Sequence, residues 1–165
     1  MLSLPGGLYM RRNDRQIKAH GAIREIIRRC QVLHLAMVDG DRPYVLPLSY
    51  GYVEPDALYM HSASEGRKLD ILSAAPEVCF AISTDHALIR DERPCGWGFR
   101  YRSVIGEGMV AFVTDEAEKR RGLDAIMRQH GGEGGHYGDA SLAATMLLRI
   151  DITSLSGKQA GYAAG

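Results

Sequence analysis

The sequence predicts a mainly-β domain in which six antiparallel strands curl into a small barrel with a few flanking helices. Three observations carry this. Six short runs rich in Val, Ile, Leu, Tyr and Phe are separated by turn residues, and Asp39-Gly40 is a strong two-residue hairpin signal. Helical apolar periodicity is confined to a few short segments, so the alternating βα pattern of a parallel sheet is missing. The chain has 165 residues and no linker or internal repeat, which suits one domain. Residues 1–9 read as a flexible leader, residues 10–160 as the domain and residues 161–165 as a tail.

The elements follow in order. Ile23, Ile26, Ile27 and Cys30 recur at i, i+3, i+4 and i+7, one apolar stripe of a helix from Gly21 to Cys30. Val32 to Val38 is a strand with apolar residues at nearly every position, so both faces are expected to be covered. The return strand, Pro43 to Tyr50, carries Pro47, which a sheet tolerates at an edge or a bulge. Ala57 to Ser62 is the third strand. Ser64 to Leu72 reads as a short helix, with Ser64 able to cap it and Pro76 to stop it. Glu77 to Ser83 is the fourth strand. Residues 84–98 are charged and hold Pro94, Gly96 and Gly98, so they read as a long functional loop or lid. Tyr101 to Val113 is the fifth strand, and Gly106 and Gly108 suggest a bulge or a close approach of another group. Thr114 is placed to cap a helix from Asp115 to His130, with Leu123, Ile126 and Met127 as its buried stripe. Thr145 to Ile152 is the last strand.

Composition excludes several function classes. Lys plus Arg and Asp plus Glu are both 20, so no global charge steers the chain to nucleic acid or an anionic membrane. No apolar run approaches the roughly 20 residues of a membrane helix. The N-terminal residues lack the basic and apolar regions of a signal peptide. Cys30, Cys79 and Cys95 form neither a disulfide framework nor a zinc signature, and a reducing, cytoplasmic setting is expected. The six histidines have no metal-type spacing, and no serine elbow, P-loop or dinucleotide glycine fingerprint is present.

Two stretches carry chemistry. In MHSASEGRK (residues 60–68) a strand ends in His61 and Ser62, a turn follows, and Arg67 and Lys68 open a helix. Cations there oppose the helix dipole and make sense if an anion neutralises them. Backbone N–H groups, hydroxyls, an Arg fork and a Lys charge together form a phosphate site; the same pair reads equally as a solvated helix face. His61 is a candidate proton donor, and also an ordinary strand-end histidine. In CGWGFRYRS (residues 95–103) the single Trp97, with Phe99, Tyr101, Arg100 and Arg102, is able to stack on a planar ring and meet an anionic group, or to plug the core.

Four stretches together resemble a known family: RRNDRQI (11–17), RPYVLPLSYGY (42–52), LYMHSASEGRK (58–68) and WGFRYRSVIGEG (97–108). They are similar to the FMN-binding proteins related to pyridoxamine 5'-phosphate oxidase, in particular the nitroimidazole-resistance (Nim-type) branch. The resemblance covers residues 10–160 and implies a six-stranded antiparallel split β-barrel that works as a homodimer, with FMN in two sites at the subunit interface. It implies that Arg67 and Lys68 hold the FMN phosphate with Ser62 assisting, and that Val45, Leu46, Pro47 and Leu48 run along the isoalloxazine. It further implies that Arg102 and Ser103 reach the flavin from the partner subunit, with Trp97 and Tyr101 near it and His61 beside the ligand. The oxidase has a basic residue where this chain has Leu46 and Pro47, and a C-terminal Trp and Arg that this tail lacks, so pyridoxamine phosphate oxidation is not expected. The expected activity is an FMN-dependent oxidoreductase passing electrons from a reduced donor to a small acceptor such as a nitroaromatic. The alternatives are a non-catalytic module holding flavin (FMN or FAD) or haem, and an empty barrel that binds another protein.

Overall fold

The structure, a computed structural model, describes residues 12–162. The expected leader, and residues 163–165 of the tail, lie outside the described residues. A short 3-10 turn (Asn13–Arg15) leads into β1 (Gln16–Ile17), followed by α1 (His20–Arg29), β2 (Val32–Asp39), β3 (Arg42–Ser49), β4 (Gly51–Val53) and β5 (Ala57–Ser62). Then come α2 (Arg67–Ala74), β6 (Glu77–Ile89), β7 (Gly98–Val113), α3 (Glu116–Gln129), α4 (Asp139–Ala144) and β8 (Met146–Ala160). Every strand pairing is antiparallel. The order is β3-β2-β6-β7-β8-β5-β4, with β1 added along β8.

The sheet therefore has eight strands rather than six, and it is not closed, because β3 and β4 stand at its two ends. The two extra strands, β1 and β4, have 2 and 3 residues and are too short to show a period. Pro47 lies on an edge strand, as its missing N–H requires. The Asp39-Gly40 signal is realised: β2 and β3 pair up to Asp39↔Arg42 across a two-residue turn.

One side of the sheet is the core. Leu33, Leu35, Phe80, Val104, Leu148, Ile150, Leu58 and Met60 are fully buried there, under Ile23, Ile26 and Ile27 of α1 and Leu69, Ile71 and Leu72 of α2. Each such side chain contributes roughly 1.5–3 kcal/mol relative to exposure. A smaller cluster, Tyr59, Val113, Ile126 and Leu147, lies under α3. The end of α1 is tied to the rest: the Tyr50 hydroxyl donates to the Ile27 carbonyl at 2.6 Å, and the Gln129 amide donates to the carbonyls of Ile27 and Arg28. Orphan carbonyls at a helix end are thus satisfied by side chains from β3–β4 and α3.

Several expectations are corrected. β2 is buried on one face only within the chain, since Val32, His34 and Val38 are exposed. Residues 84–98 are not a long loop: β6 runs on to Ile89 and β7 begins at Gly98, forming a ribbon closed by residues 90–97. Solvent on both sides of the ribbon removes the alternation that would have marked it. β8 continues to Ala160 because β7 and β1 pair with its polar half. The caps are Gly66 and Asp115, not Ser64 and Thr114; the Asp115 carboxylate accepts the Glu118 N–H at 2.7 Å. On α3 the buried residues are Gly122, Ala125 and Ile126, while Met127 is exposed. α4, six residues long, carries no periodic signal.

Both glycine expectations on β7 hold. Gly106 faces Phe80 directly across β6–β7, and a Cβ at Gly106 would overlap the Phe80 ring. Between Glu107 and Gly108 the register against β8 shifts by one residue, a bulge. A second irregularity lies in β6, where Asp85 and His86 oppose Tyr101. Asp85 takes φ +56°, rare for a residue with a side chain, and is held by its contacts. Its carboxylate accepts from Arg29 at 3.0 Å and Arg102 at 2.6 Å, and its carbonyl accepts the Tyr162 hydroxyl at 2.6 Å. Arg29 first, then Arg102, hold the Asp85 carboxyl below its ordinary value.

Two predictions follow from this packing. Gly106→Val should destabilise the fold by about 3 kcal/mol, read as a lowered urea midpoint, and Phe80→Leu in the same chain should recover part of the loss. Independent, additive losses would show that the two sites do not touch. Asp85→Asn should cost about 2 kcal/mol at pH 7. A depressed carboxyl adds stability above its unfolded value, so the gap between wild type and variant should close as pH falls below 3.8; a gap that persists in acid would refute the role of the charge.

Candidate functional site

β5 ends on the core edge and delivers His61 and Ser62 to the surface. The chain then turns at Gly66, whose φ of +132° is open to glycine but strained for any L side chain. That turn aims the start of α2, with Arg67 and Lys68 as its first two residues, over the same surface. No side chain caps this helix end, so its leading N–H groups face outward without a side-chain acceptor. Tyr44, Leu46, His61, Ser62, Glu65, Arg67 and Lys68 line one shallow pocket of about 430 Å³, in which Glu65 is the one carboxylate among the described residues.

The two cations differ. Arg67 is exposed; its Nε and Nη2 donate to one Asp39 oxygen at 3.0 and 2.8 Å, and its guanidinium lies 4.4 Å from the Tyr44 ring centroid. Lys68 is half-buried and has no acidic partner among the described residues. Burial pushes the Lys68 ammonium below its ordinary value. A half-buried cation beside a second cation, at a helix end that already carries positive partial charge, is an electrostatic deficit that an anion corrects. The donor set fits a phosphate: an Arg fork with spare N–H groups, a Lys and free backbone N–H groups. The site therefore meets, on its own electrostatics, the requirement for the phosphate end of a phosphorylated cofactor.

Next to this pocket, β3 is an open edge. Leu46 and Leu48 turn inward and pack against the core, while Val45 and Pro47 face outward. The strand edge is flanked by backbone groups that no neighbouring strand uses.

The remaining candidates lie elsewhere in the chain. Arg102 is pinned by Asp85, by Gln159 at 3.3 Å and by the Tyr162 ring at 4.1 Å, and it borders a larger cavity of about 820 Å³ beside α1. That cavity has no lining residue in common with the α2 pocket. Trp97 sits at the ribbon tip with its Nε1 donating to the Asp91 carbonyl at 2.7 Å. Tyr101 and Ser103 lie on β7, Ser103 opposite Ser83. One chain thus brings together Leu46, His61, Ser62, Arg67 and Lys68, and does not bring Trp97, Arg102 or Ser103 to them.

Strand alternation explains where those residues face. Trp97, Phe99, Tyr101, Ser103, Ile105 and Met109 occupy alternate positions running into and along β7, on the side away from the core. Trp97 is 50% exposed, Phe99 52%, Ile105 43% and Met109 40%, and Val45 on β3 is 61% exposed. These apolar side chains share the outer face of β7 with Glu107, whose carboxylate accepts from the Ser154 hydroxyl at 2.9 Å.

Sequence reasoning missed Asp39, Tyr44 and Asp85. Asp39 was visible only as a turn residue, and nothing local links it to Arg67, 28 positions away. Among the described residues no cluster of His, Cys, Asp or Glu is arranged to hold a metal ion, all three cysteines are free, and no helix is long and apolar enough to cross a membrane.

Comparison with known proteins agrees with this architecture. Residues 19–159 match the family model described as pyridoxamine 5'-phosphate oxidase. A candidate 5-nitroimidazole antibiotic resistance protein from Bacteroides thetaiotaomicron is similar in structure, with a TM-score of 0.79 and 31% identity over 87% of this chain and 86% of that one. An FAD- and haem-binding protein from Mycobacterium smegmatis has a TM-score of 0.76 at 20% identity, over 92% of this chain and 76% of its own. A flavocytochrome from Azotobacter vinelandii gives the same score and identity over 93% and 73%. These last two, being distant, show the fold alone. No curated protein matches the chain. The sheet is a split barrel, and the chain belongs to the pyridoxamine 5'-phosphate oxidase family.

Proposed function

We propose that the chain binds a flavin, with FMN as the minimal form, through its phosphate at the start of α2, and serves as an oxidoreductase toward a small acceptor. The observation that carries this is Lys68: a half-buried ammonium without an acidic partner, beside Arg67, at an uncapped helix end. Similarity to the Bacteroides protein supports a nitroaromatic as one acceptor class. A bound flavin would supply the redox chemistry between a reduced donor and the acceptor.

The chain's own residues bind and orient. Lys68 and the spare N–H groups of Arg67 hold the phosphate, and Ser62 lies in the same pocket to add a hydroxyl. The free edge of β3, from Val45 to Leu48, offers backbone donors and acceptors to a planar ring. His61, at the pocket wall, is placed to hold or deliver a proton at its imidazole nitrogen.

The working unit in this reading is a homodimer. The apolar outer face of β3, β2 and β7 supports it, because two copies meeting there would cover Val45, Ile105 and Met109. Such a meeting also accounts for Ser103, Tyr101 and Trp97, which the partner would contribute to a site that one chain leaves shallow, whereas Arg102 alternates onto the inner face of β7, toward the cavity beside α1. There the Asp85 clamp fixes the Arg102 fork. A cytoplasmic setting suits the three free thiols.

Replacing Arg67 and Lys68 together by Ala should weaken FMN binding at least about 100-fold, since each charge-assisted contact contributes roughly 1.5–3 kcal/mol. Riboflavin, which lacks the phosphate, should bind wild type and variant alike in a fluorescence titration. Unchanged FMN affinity would remove the phosphate assignment. The pH dependence has a sign as well: Lys68 must be protonated to hold the phosphate, so FMN affinity should fall as pH rises through its lowered value, and Lys68→Ala should flatten that alkaline limb. Ile105→Arg should convert a dimer to a monomer in sedimentation and lose FMN with it; a monomeric wild type that keeps FMN would refute the shared site.

A further inference from the structure

The segment from Asn13 to Lys18 has no part in the α2 pocket, yet it walls the cavity of about 820 Å³ beside α1. Complete small-molecule sites run to roughly 300–1,000 Å³, so this space has room for a whole ligand. Its walls are held in place. β1 pairs with β8 at Gly157 and Lys158, and Ile17 and Ile23 occupy the space that a Cβ at Gly157 would need. Arg102 is fixed on three sides: its Nη1 donates to Asp85 at 2.6 Å, its Nε donates to Gln159 at 3.3 Å, and its guanidinium lies 4.1 Å from the Tyr162 ring centroid. Those contacts leave its Nη2 edge for a ligand.

The lining divides by chemistry. Ile17, with Ala22 and Ile26 of α1, is apolar, while Lys18, Arg29 and Arg102 bring positive charge. The lining carboxylates among the described residues are already engaged. Asp14 accepts from Arg12 at 2.7 and 2.8 Å, and Glu25 accepts from Arg28 at 2.8 Å. Asp85 is shared by Arg29 and Arg102, and Arg28 pairs with Glu54 as well. Lys18 is exposed and has no carboxylate partner among the described residues. When these charged lining groups and their ion-pair partners are taken together, one positive charge is left over.

A single surplus charge suits a singly charged anion, and the planar edge of a guanidinium suits a carboxylate. The apolar wall asks that the anion carry an apolar body. We propose that this cavity binds a small organic monocarboxylate, its carboxylate on Nη2 of Arg102 and its body, a ring or a short chain, against Ala22 and Ile26. Lys18 adds attraction for the anion at the entrance. The site is distinct from the α2 pocket, and it stands or falls without the flavin reading.

The probes are benzoate and hexanoate, each with its amide as an uncharged control of the same shape, titrated calorimetrically into the full chain. Wild type should bind one or both carboxylates saturably, at least about tenfold more tightly than the matching amide. Arg102→Gln should weaken the carboxylate at least about tenfold and leave the amide unchanged. That change also loosens Asp85, so Ala22→Trp supplies a second reading. Ala22 is exposed on α1, and a Trp there fills the cavity while the ion pairs stay in place. It should abolish carboxylate binding in protein that remains folded by circular dichroism. Replacing Arg67 and Lys68 together by Ala should leave carboxylate binding as it was. No saturable binding of either carboxylate, equal affinity for acid and amide, indifference to Arg102→Gln or to Ala22→Trp, or loss of binding in the α2 double variant would each overturn the carboxylate site.

Discussion

β7 is paired on both sides along most of its length, to β6 from Met109 to Gly98 and to β8 from Tyr101 to Val113. A strand bonded on two edges has its side-chain directions fixed by register alone. Its inward positions, such as Val104, Gly106 and Val110, build the core, and its outward positions build the apolar outer face. A slip of one residue would exchange the two. Phe80 locks against such a slip, because its ring needs the space that only Gly106 leaves. The placing of Arg102, the exposure of Ile105 and the curvature at Gly108 all inherit that register.

Much of the fold was legible because one covered face leaves a period of two. The strands over Val32–Val38, Ala57–Ser62 and Val104–Val113 each carry buried residues at alternate positions or an apolar run, and α1 shows its stripe as Ile23, Ile26 and Ile27. Gly106 was legible as a close approach, though not its partner. What escaped was decided by neighbours distant in sequence. β1 is a strand because β8 presents Gly157 and Lys158 to it. The ribbon beyond Ser83 is held by β6–β7 pairing and has no buried side chains from which a pattern could be read. Asp85 adopts its backbone conformation because Arg29, Arg102 and Tyr162 converge on it from 56, 17 and 77 residues away.

The same distinction runs through the site. Arg67 and Lys68 were visible because adjacent cations at a helix start are electrostatically out of place. Their unequal surroundings were not visible: a hairpin turn supplies Asp39 to Arg67, and the packing of α2 leaves Lys68 half-buried and alone. The sequence likewise shows His61 at a strand end, while its pocket neighbours Tyr44 and Leu46 come from β3. Sequence thus identified the charged components, and tertiary structure assigned each its partner.

The contact between Arg67 and Asp39 has a consequence for selectivity. Arg67 already holds an internal anion, the singly charged Asp39 carboxylate seated on its fork. An incoming anion either displaces Asp39 or shares the fork with it. Chloride or a small carboxylate gains little from that exchange, because it replaces like with like. A phosphate monoester near its second ionisation brings more charge and three acceptor oxygens, and can engage Arg67 and Lys68 together. If the proposed phosphate site is used, the hairpin turn between β2 and β3 would act as a built-in competitor that raises the threshold for weak anions relative to a phosphate.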